Sequence, residues 1–269
     1  MNSRFASCIA VALAFGPAMG CSNAVKPVNS VSTSRPAPAV DQRIPEPWIS
    51  GPQSDWPQLV LTNQAEFQGD RTLFGASSFL IQNNSGRVLA ATAEHLVGPA
   101  GGVEPAIPIR ELAAAIKSWR MYPRTRQDSF VEISGPVVAH PIVKGLDWLV
   151  LDLKQAGGDL PAVPLKVRSY PVEVGESVFL IGCPYSERDC RQNVYRGLVT
   201  ARAFKDKFRY DLDPPVDIRG FSGAPIIDNK GFVVGVMTVW FEPKMSGDKF
   251  LEAGGEDIAT IHDFVQSVK

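Results

Sequence analysis

Short apolar runs, each cut off by turn-forming residues, fill the chain from Leu73 to its end, and this rhythm constrains the fold more than any other feature. Residues 73–81 read as a strand, Asn83-Asn84-Ser85-Gly86 as a turn, and residues 87–92 as the returning partner. Further strands are expected at 118–122, 130–133, 136–139 and 148–153, with a short helix at 111–117 inside a connection. The rhythm resumes at 177–182, 194–203, 208–212, 224–227 and 232–240, with Asp228-Asn229-Lys230-Gly231 turning between the last two. Residues 257–268 have helical spacing instead, placing Ile258, Ile261, Phe264, Val265 and Val268 on one face. Many short strands closed by one terminal helix point to an all-β protein of barrel type, although periodicity alone does not separate a barrel from a sandwich. The 23 Gly and 22 Pro suit such a turn-rich chain. A formal net charge of −1, without a long basic run, gives nucleic-acid binding little support, so no nucleic-acid partner is expected.

The N-terminus speaks to location. A short basic start, Met1-Asn2-Ser3-Arg4, leads into a small, apolar stretch from Ala6 to Met19, shorter than the ~20 residues a bilayer span needs. Residues 1–20 therefore read as a signal peptide. Ala18-Met19-Gly20-Cys21 resembles a bacterial lipobox, which makes Cys21 the expected lipidated first residue of the mature protein, with Ser22 after it. By resemblance to known lipoprotein sorting, this implies the periplasmic side of a bacterial envelope and anchoring to the outer membrane. Residues 21–52 are rich in Pro, Ser, Val and Ala and lack apolar periodicity, so they are expected to form a flexible tether ahead of a folded domain at 53–269. Cys183 and Cys190 flank a short turn and are expected to form a disulfide in an oxidising compartment. A metal site there is the weaker alternative, because neither Cys-x-x-Cys nor a nearby His is present. No metal and no cofactor are expected.

Three segments hold residues suited to nucleophilic chemistry. Ser222 stands in Gly220-Phe221-Ser222-Gly223-Ala224-Pro225, where flanking glycines permit a tight turn and let the N–H groups of Gly220 and Ser222 converge on one small hole. The competing reading is a hairpin turn whose serine only caps backbone groups. His95 follows an apolar strand through small residues, and the other histidines are His140 and His262. Asp147 opens the apolar run Asp147-Trp148-Leu149-Val150-Leu151, a good position from which to hold a histidine tautomer. Asp152 is the alternative acid. Ser222, Asp257 and His262 also occur in the order of an α/β-hydrolase, but Ala224 breaks the Gly-x-Ser-x-Gly elbow and no alternating βαβ pattern surrounds it.

Taken together, Thr92-Ala93-Glu94-His95, Asp147-Trp148-Leu149-Val150-Leu151 and Gly220-Phe221-Ser222-Gly223-Ala224-Pro225 resemble the histidine, aspartate and serine motifs of the trypsin-like serine proteases, in the family's order. Within that family they look nearest to the bacterial high-temperature-requirement (HtrA-like) group, although no PDZ-like domain follows before Lys269. Gly75-Ala76-Ser77-Ser78-Phe79-Leu80 is similar to the strand before the family's histidine, and the segment from Val174 to Pro184 is similar to one in its second barrel. The resemblance implies two antiparallel six-stranded β-barrels with a C-terminal helix. It also implies a serine endopeptidase that cleaves polypeptides through an acyl-enzyme, with Ser222 as nucleophile, His95 as base, Asp147 as orienter, and Gly220 and Ser222 as oxyanion donors. Phe221 and Ala224 depart from the family's Asp or Asn and Gly, so an inactive, partner-binding envelope lipoprotein is the second expectation. Phe221 is expected to fix its loop by burial. In the family layout Val216 and Thr238-Val239-Trp240 border the primary specificity pocket; Val216 favours an apolar substrate residue, Asp213 or Asp217 a basic one.

Overall fold

The computed structural model describes residues 42–137, 145–154, 159–203, 206–241 and 252–269. The expected signal peptide, Cys21, most of the tether, His140 and the end of the strand expected at 136–139 lie outside the described residues. The first barrel comprises β1 (Leu61–Phe67), β2 (Thr72–Gln82), β3 (Val88–Ala93), β4 (Ile116–Tyr122), β5 (Val131–Pro136) and β6 (Trp148–Leu153). These pair in the order β1-β4-β5-β6-β3-β2, and pairing of β1 with β2 closes the ring; β7 (Leu165–Lys166) adds in parallel to β2. The second barrel comprises β8 (Ser177–Gly182), β9 (Asn193–Ala203), β10 (Lys207–Asp213), β11 (Pro225–Asp228), β12 (Val233–Phe241) and β13 (Glu252–Asp257), closed in the order β10-β13-β12-β11-β8-β9. Helix α1 (Ile109–Ala115) lies in the β3–β4 connection and α2 (His262–Ser267) ends the chain. The expected all-β double barrel with a C-terminal helix is the observed fold.

The unbroken apolar runs have a direct cause. Successive side chains of a strand point to opposite faces, and in several strands both faces are covered. Along β6, Trp148 and Val150 join the core between the barrels, whereas Leu149 and Leu151 fill the interior of the first barrel. β3 divides Leu89 and Ala91 from Ala90 and Ala93 in the same way. In the second barrel Val233 and Val236 face the shared core, while Val234 and Met237 fill the interior with Phe208, Tyr210 and Ile226.

The structure differs from the sequence reading at the elements with weak apolar pattern. β1 and β13 were not expected. β1 is polar at Thr62, Asn63 and Gln64, yet Asn63 is fully buried and its Oδ1 accepts the indole N–H of Trp119 at 3.2 Å. β13 has glycine where the barrel interior is crowded: a Cβ on Gly255 would meet Ile226 Cδ1 at 2.5 Å and Phe208 Cζ at 2.6 Å. The strands expected at 130–133 and 136–139 are, as far as described, one strand, β5. Ser134-Gly135 is a bulge against β6 and not a turn, and Ser134 Oγ donates to the Asp152 carbonyl. The helix expected at 111–117 starts and ends two residues earlier, because Ile116 pairs with Phe67 and opens β4, with Lys117 in a bulge. The helix expected from 257 begins as a 3-10 turn at Ile258–Thr260, capped by Asp257, whose side chain accepts the Ala259 N–H.

The last ten residues of the expected tether are docked. The Glu46 N–H donates to the Lys230 carbonyl at 2.9 Å, Arg43 pairs with Asp228 at 2.6 Å, and Trp48 packs edge-on to Trp56 with ring centroids 5.1 Å apart. Residues 43–269 accordingly form one compact unit.

Candidate active site

Antiparallel pairing of β3 with β6 sets Ala93 opposite Trp148, so the chain leaving β3 runs beside the residue that enters β6. The Glu94 N–H donates to the Asp147 carbonyl at 3.1 Å, the His95 N–H donates to Asp147 Oδ1 at 2.8 Å, and His95 Nδ1 lies 2.7 Å from Asp147 Oδ2. A carboxylate that accepts from Nδ1–H leaves Nε2 as the ring's free acceptor. Both side chains keep a minority of their surface exposed, 24% for His95 and 17% for Asp147, so the pair is reachable from solvent.

Ser222 occupies the turn before β11, and that turn is seated on the first barrel. The Ser77 N–H donates to the Ser222 carbonyl at 2.8 Å, Ser77 Oγ to the Gly220 carbonyl at 3.0 Å, and Thr92 Oγ1 to the Ser77 carbonyl at 2.7 Å. Gly223 has φ +83°, and a Cβ there would stand 2.1 Å from the Ser77 carbonyl oxygen and 2.3 Å from Thr92 Oγ1. Only glycine allows the turn to approach so near to Thr92, three residues before His95. Among the described residues Ser222 Oγ forms no hydrogen bond; apo sites often tighten such bonds only with substrate.

Two peptide groups beside Ser222 have their carbonyls tied back. The Arg219 carbonyl accepts the Tyr185 N–H at 2.9 Å, and the Phe221 carbonyl accepts the Ala224 N–H at 2.7 Å. In a trans peptide the N–H points opposite to the C=O, so the Gly220 and Ser222 N–H groups face away from those partners. Among the described residues neither donates a hydrogen bond. Phe221 is fully buried, edge-on to Tyr195 at 5.5 Å, and a Cβ on Gly182 would meet its ring at 2.5 Å. The ring locks the turn from below, as the sequence led us to expect.

Two further carboxyls border this centre. The main-chain N–H of Asp147 donates to Glu256 Oε2 at 2.7 Å; Glu256, from β13, has no exposed surface, and burial pushes its carboxyl up to about 7. The Glu94 carboxyl is also raised, first by burial and then by the charge of Asp147. An open cleft of about 480 Å³ beside His95 and Asp147 is lined by Val97, Pro99, Ile107, Leu146, Glu94 and Lys207, among others.

The model for the trypsin-like peptidase domain matches residues 76–236, more than half of the chain. The chain belongs to this family. Among solved structures, the trypsin-like domain is similar to the active form of the Rv3671c protease from M. tuberculosis, with 16% identity, 84% of this chain and 88% of that one covered, and a TM-score of 0.52. It is also similar to kallikrein-related peptidase 10, with 13% identity, 78% and 95% covered, and a TM-score of 0.54. At these identities the likeness shows a shared fold. No curated protein matches the chain.

The other candidates of this trypsin-like domain are engaged elsewhere. Asp152 binds Arg87, Asp257 binds Arg202 and caps a 3-10 turn, and His262 pairs with Asp263 at 3.0 Å, so the alternative acid and the hydrolase-type order are not assembled. Exposed Asp217 is gripped by Arg219, whose Nε lies 2.9 Å from each of its oxygens, and this bond holds the Asp217 carboxyl below its ordinary range. Val216 is half-buried against the second-barrel core. Cys183 and Cys190 form a disulfide with Cα atoms 5.8 Å apart, and among the described residues no cluster of three or more His, Cys, Asp or Glu side chains could hold a metal ion. Sequence reasoning missed Glu256; its only signal was a charged residue inside a glycine-rich stretch without strand pattern.

Proposed function

We propose that the protein is a serine endopeptidase. Ser222 attacks the scissile carbonyl, His95 Nε2 takes the serine proton and returns it to the leaving amine, and Asp147 holds His95 in the required tautomer. The N–H groups of Gly220 and Ser222 receive the oxyanion. The observation that carries this reading is the His95 Nδ1 to Asp147 Oδ2 contact of 2.7 Å, made in a trypsin-like domain whose Ser222 turn is bonded through Ser77 to the strand leading to His95. Ser222→Ala and His95→Ala are expected to lower kcat for a peptide substrate by at least about 1,000-fold with unchanged thermal unfolding. An active-site fluorophosphonate is expected to label the parent protein and not Ser222→Ala. Folded parent protein that neither reacts nor cleaves would favour the second reading, a binding module, for which Phe221 and a Ser222 Oγ without a hydrogen bond among the described residues speak.

The same proposal extends to location: cleavage after residue 20, lipidation of Cys21, and residence on the periplasmic side of the outer membrane. The Cys183–Cys190 disulfide supports an oxidising compartment. Val216 supports an apolar primary preference, because the charge of Asp217 is already matched by Arg219.

A further inference from the structure

Strand β13 carries a carboxylate that the reaction above leaves unused. Glu256 has no exposed surface, and an ionisable side chain is costly to bury. One main-chain N–H needs only a neutral acceptor, yet a carboxylate stands there. Glu256 Oε2 accepts the Asp147 N–H at 2.7 Å, and Lys207 Nζ stands 3.7 Å from the same oxygen. Glu256 Oε1 is buried without a hydrogen-bond partner among the described residues. β13 lies between β10 and β12, with Lys207 and Val236 flanking Glu256 in register, so this side chain reaches from the second barrel to the acid of the first.

We propose that Glu256 is a positioning residue of the active site: it holds Asp147 by the main chain and, as a second negative charge behind Asp147, raises the basicity of His95. The proposal rests on reading His95 and Asp147 as base and orienter. The charges around Glu256 are Asp147 at the mouth of β6, Lys207 on β10 and Asp206 just before it; its β12 neighbours Gly235 and Val236 carry none. Glu94, on the His95 turn, adds its charge next to Asp147. An anion in this position favours the imidazolium that forms when His95 accepts the serine proton. Protonation of Glu256, which titrates at about 7, withdraws that support as the pH falls.

The test follows the ring nitrogens of His95 by NMR in Ser222→Ala protein, with and without Glu256→Gln. Glutamine keeps an acceptor for the Asp147 N–H and removes only the charge. The His95 pKa is expected to fall by about half a unit or more in the Gln variant. In the active enzyme the acid limb of kcat/KM moves to lower pH by the same amount. An unchanged His95 pKa in folded Glu256→Gln protein overturns the proposal. Should that variant fail to fold, the Glu256-containing protein decides, because coupling to a second titrating site broadens the His95 titration to a Hill slope below one, and a curve of unit slope refutes the coupling. The NMR readout does not need turnover: a His95 shift in a protein that cleaves nothing would sink the peptidase reading and leave this one standing.

Discussion

At position 221 an aromatic ring stands beside Ser222, and the turn is therefore held by packing against Tyr195 and Gly182. A carboxyl is instead buried behind Asp147, in Glu256, and its burial has a cost that varies with pH. Its folded pKa of about 7 exceeds the ordinary 4.5. The native state therefore binds more protons than the unfolded state between those values, and the stability Glu256 contributes as an acid is present below 4.5 and lost as the pH rises through about 7. Gln mimics the protonated acid. Glu256→Gln is thus expected to match the parent in stability near pH 4 and to exceed it above pH 7, by roughly 2–3 kcal/mol. Chemical denaturation at the two pH values measures this, and a stability difference that does not depend on pH would refute it.

Among the elements, the loop between β8 and β9 links stability to the site. The Cys183–Cys190 disulfide closes it, Arg124 ties its Pro184 and Glu187 carbonyls to the first barrel, and Tyr185 within it holds the Arg219 carbonyl that orients the Gly220 peptide. Loop-closure entropy for so short a ring amounts to about 2.5 kcal/mol. Replacing both cysteines with serine is expected to reduce unfolding free energy by about that amount. Under the proposed mechanism, in which the Gly220 N–H acts on the transition state, it should also lower kcat more than it changes KM. A variant with reduced stability but full kcat would show that the loop does not govern the oxyanion site.

On the scale of the whole molecule, the candidate site lies where the barrels meet: His95 and Asp147 come from the first, Ser222 and Glu256 from the second. The chain enters by docking residues 43–49 on the second barrel through Arg43–Asp228 and Glu46–Lys230 contacts. Phe221, buried and apolar, offers no carboxylate to a terminal ammonium, and burying such an ammonium unpaired is unfavourable. A protein beginning at Gln42 behind a blocked tag is therefore expected to turn over substrate as fast as the same protein after tag removal. Mass spectrometry of the mature chain from cells is expected to find acylated Cys21 at its head. Activity that appears only with a free amino terminus would overturn the first expectation, and an unmodified terminus elsewhere the second.

What the sequence determined by itself were the strands whose two faces are both apolar, such as β6 and β8, and the motifs around His95, Asp147 and Ser222, because tight turns and buried strands demand particular residues locally. The order of those motifs was also enough to resemble a family and hence to expect two barrels. The tertiary structure alone decided the rest. Polar β1 and glycine-rich β13 are strands because neighbouring strands bond their backbones and Trp119 or Phe208 fills the space beside them. Residues 43–52 have no apolar period, yet they are ordered by ion pairs and ring contacts to partners more than 100 residues away, such as Asp228 and Lys230. Glu256 reaches Asp147 across 109 positions of sequence, a contact that barrel closure creates and no local pattern encodes.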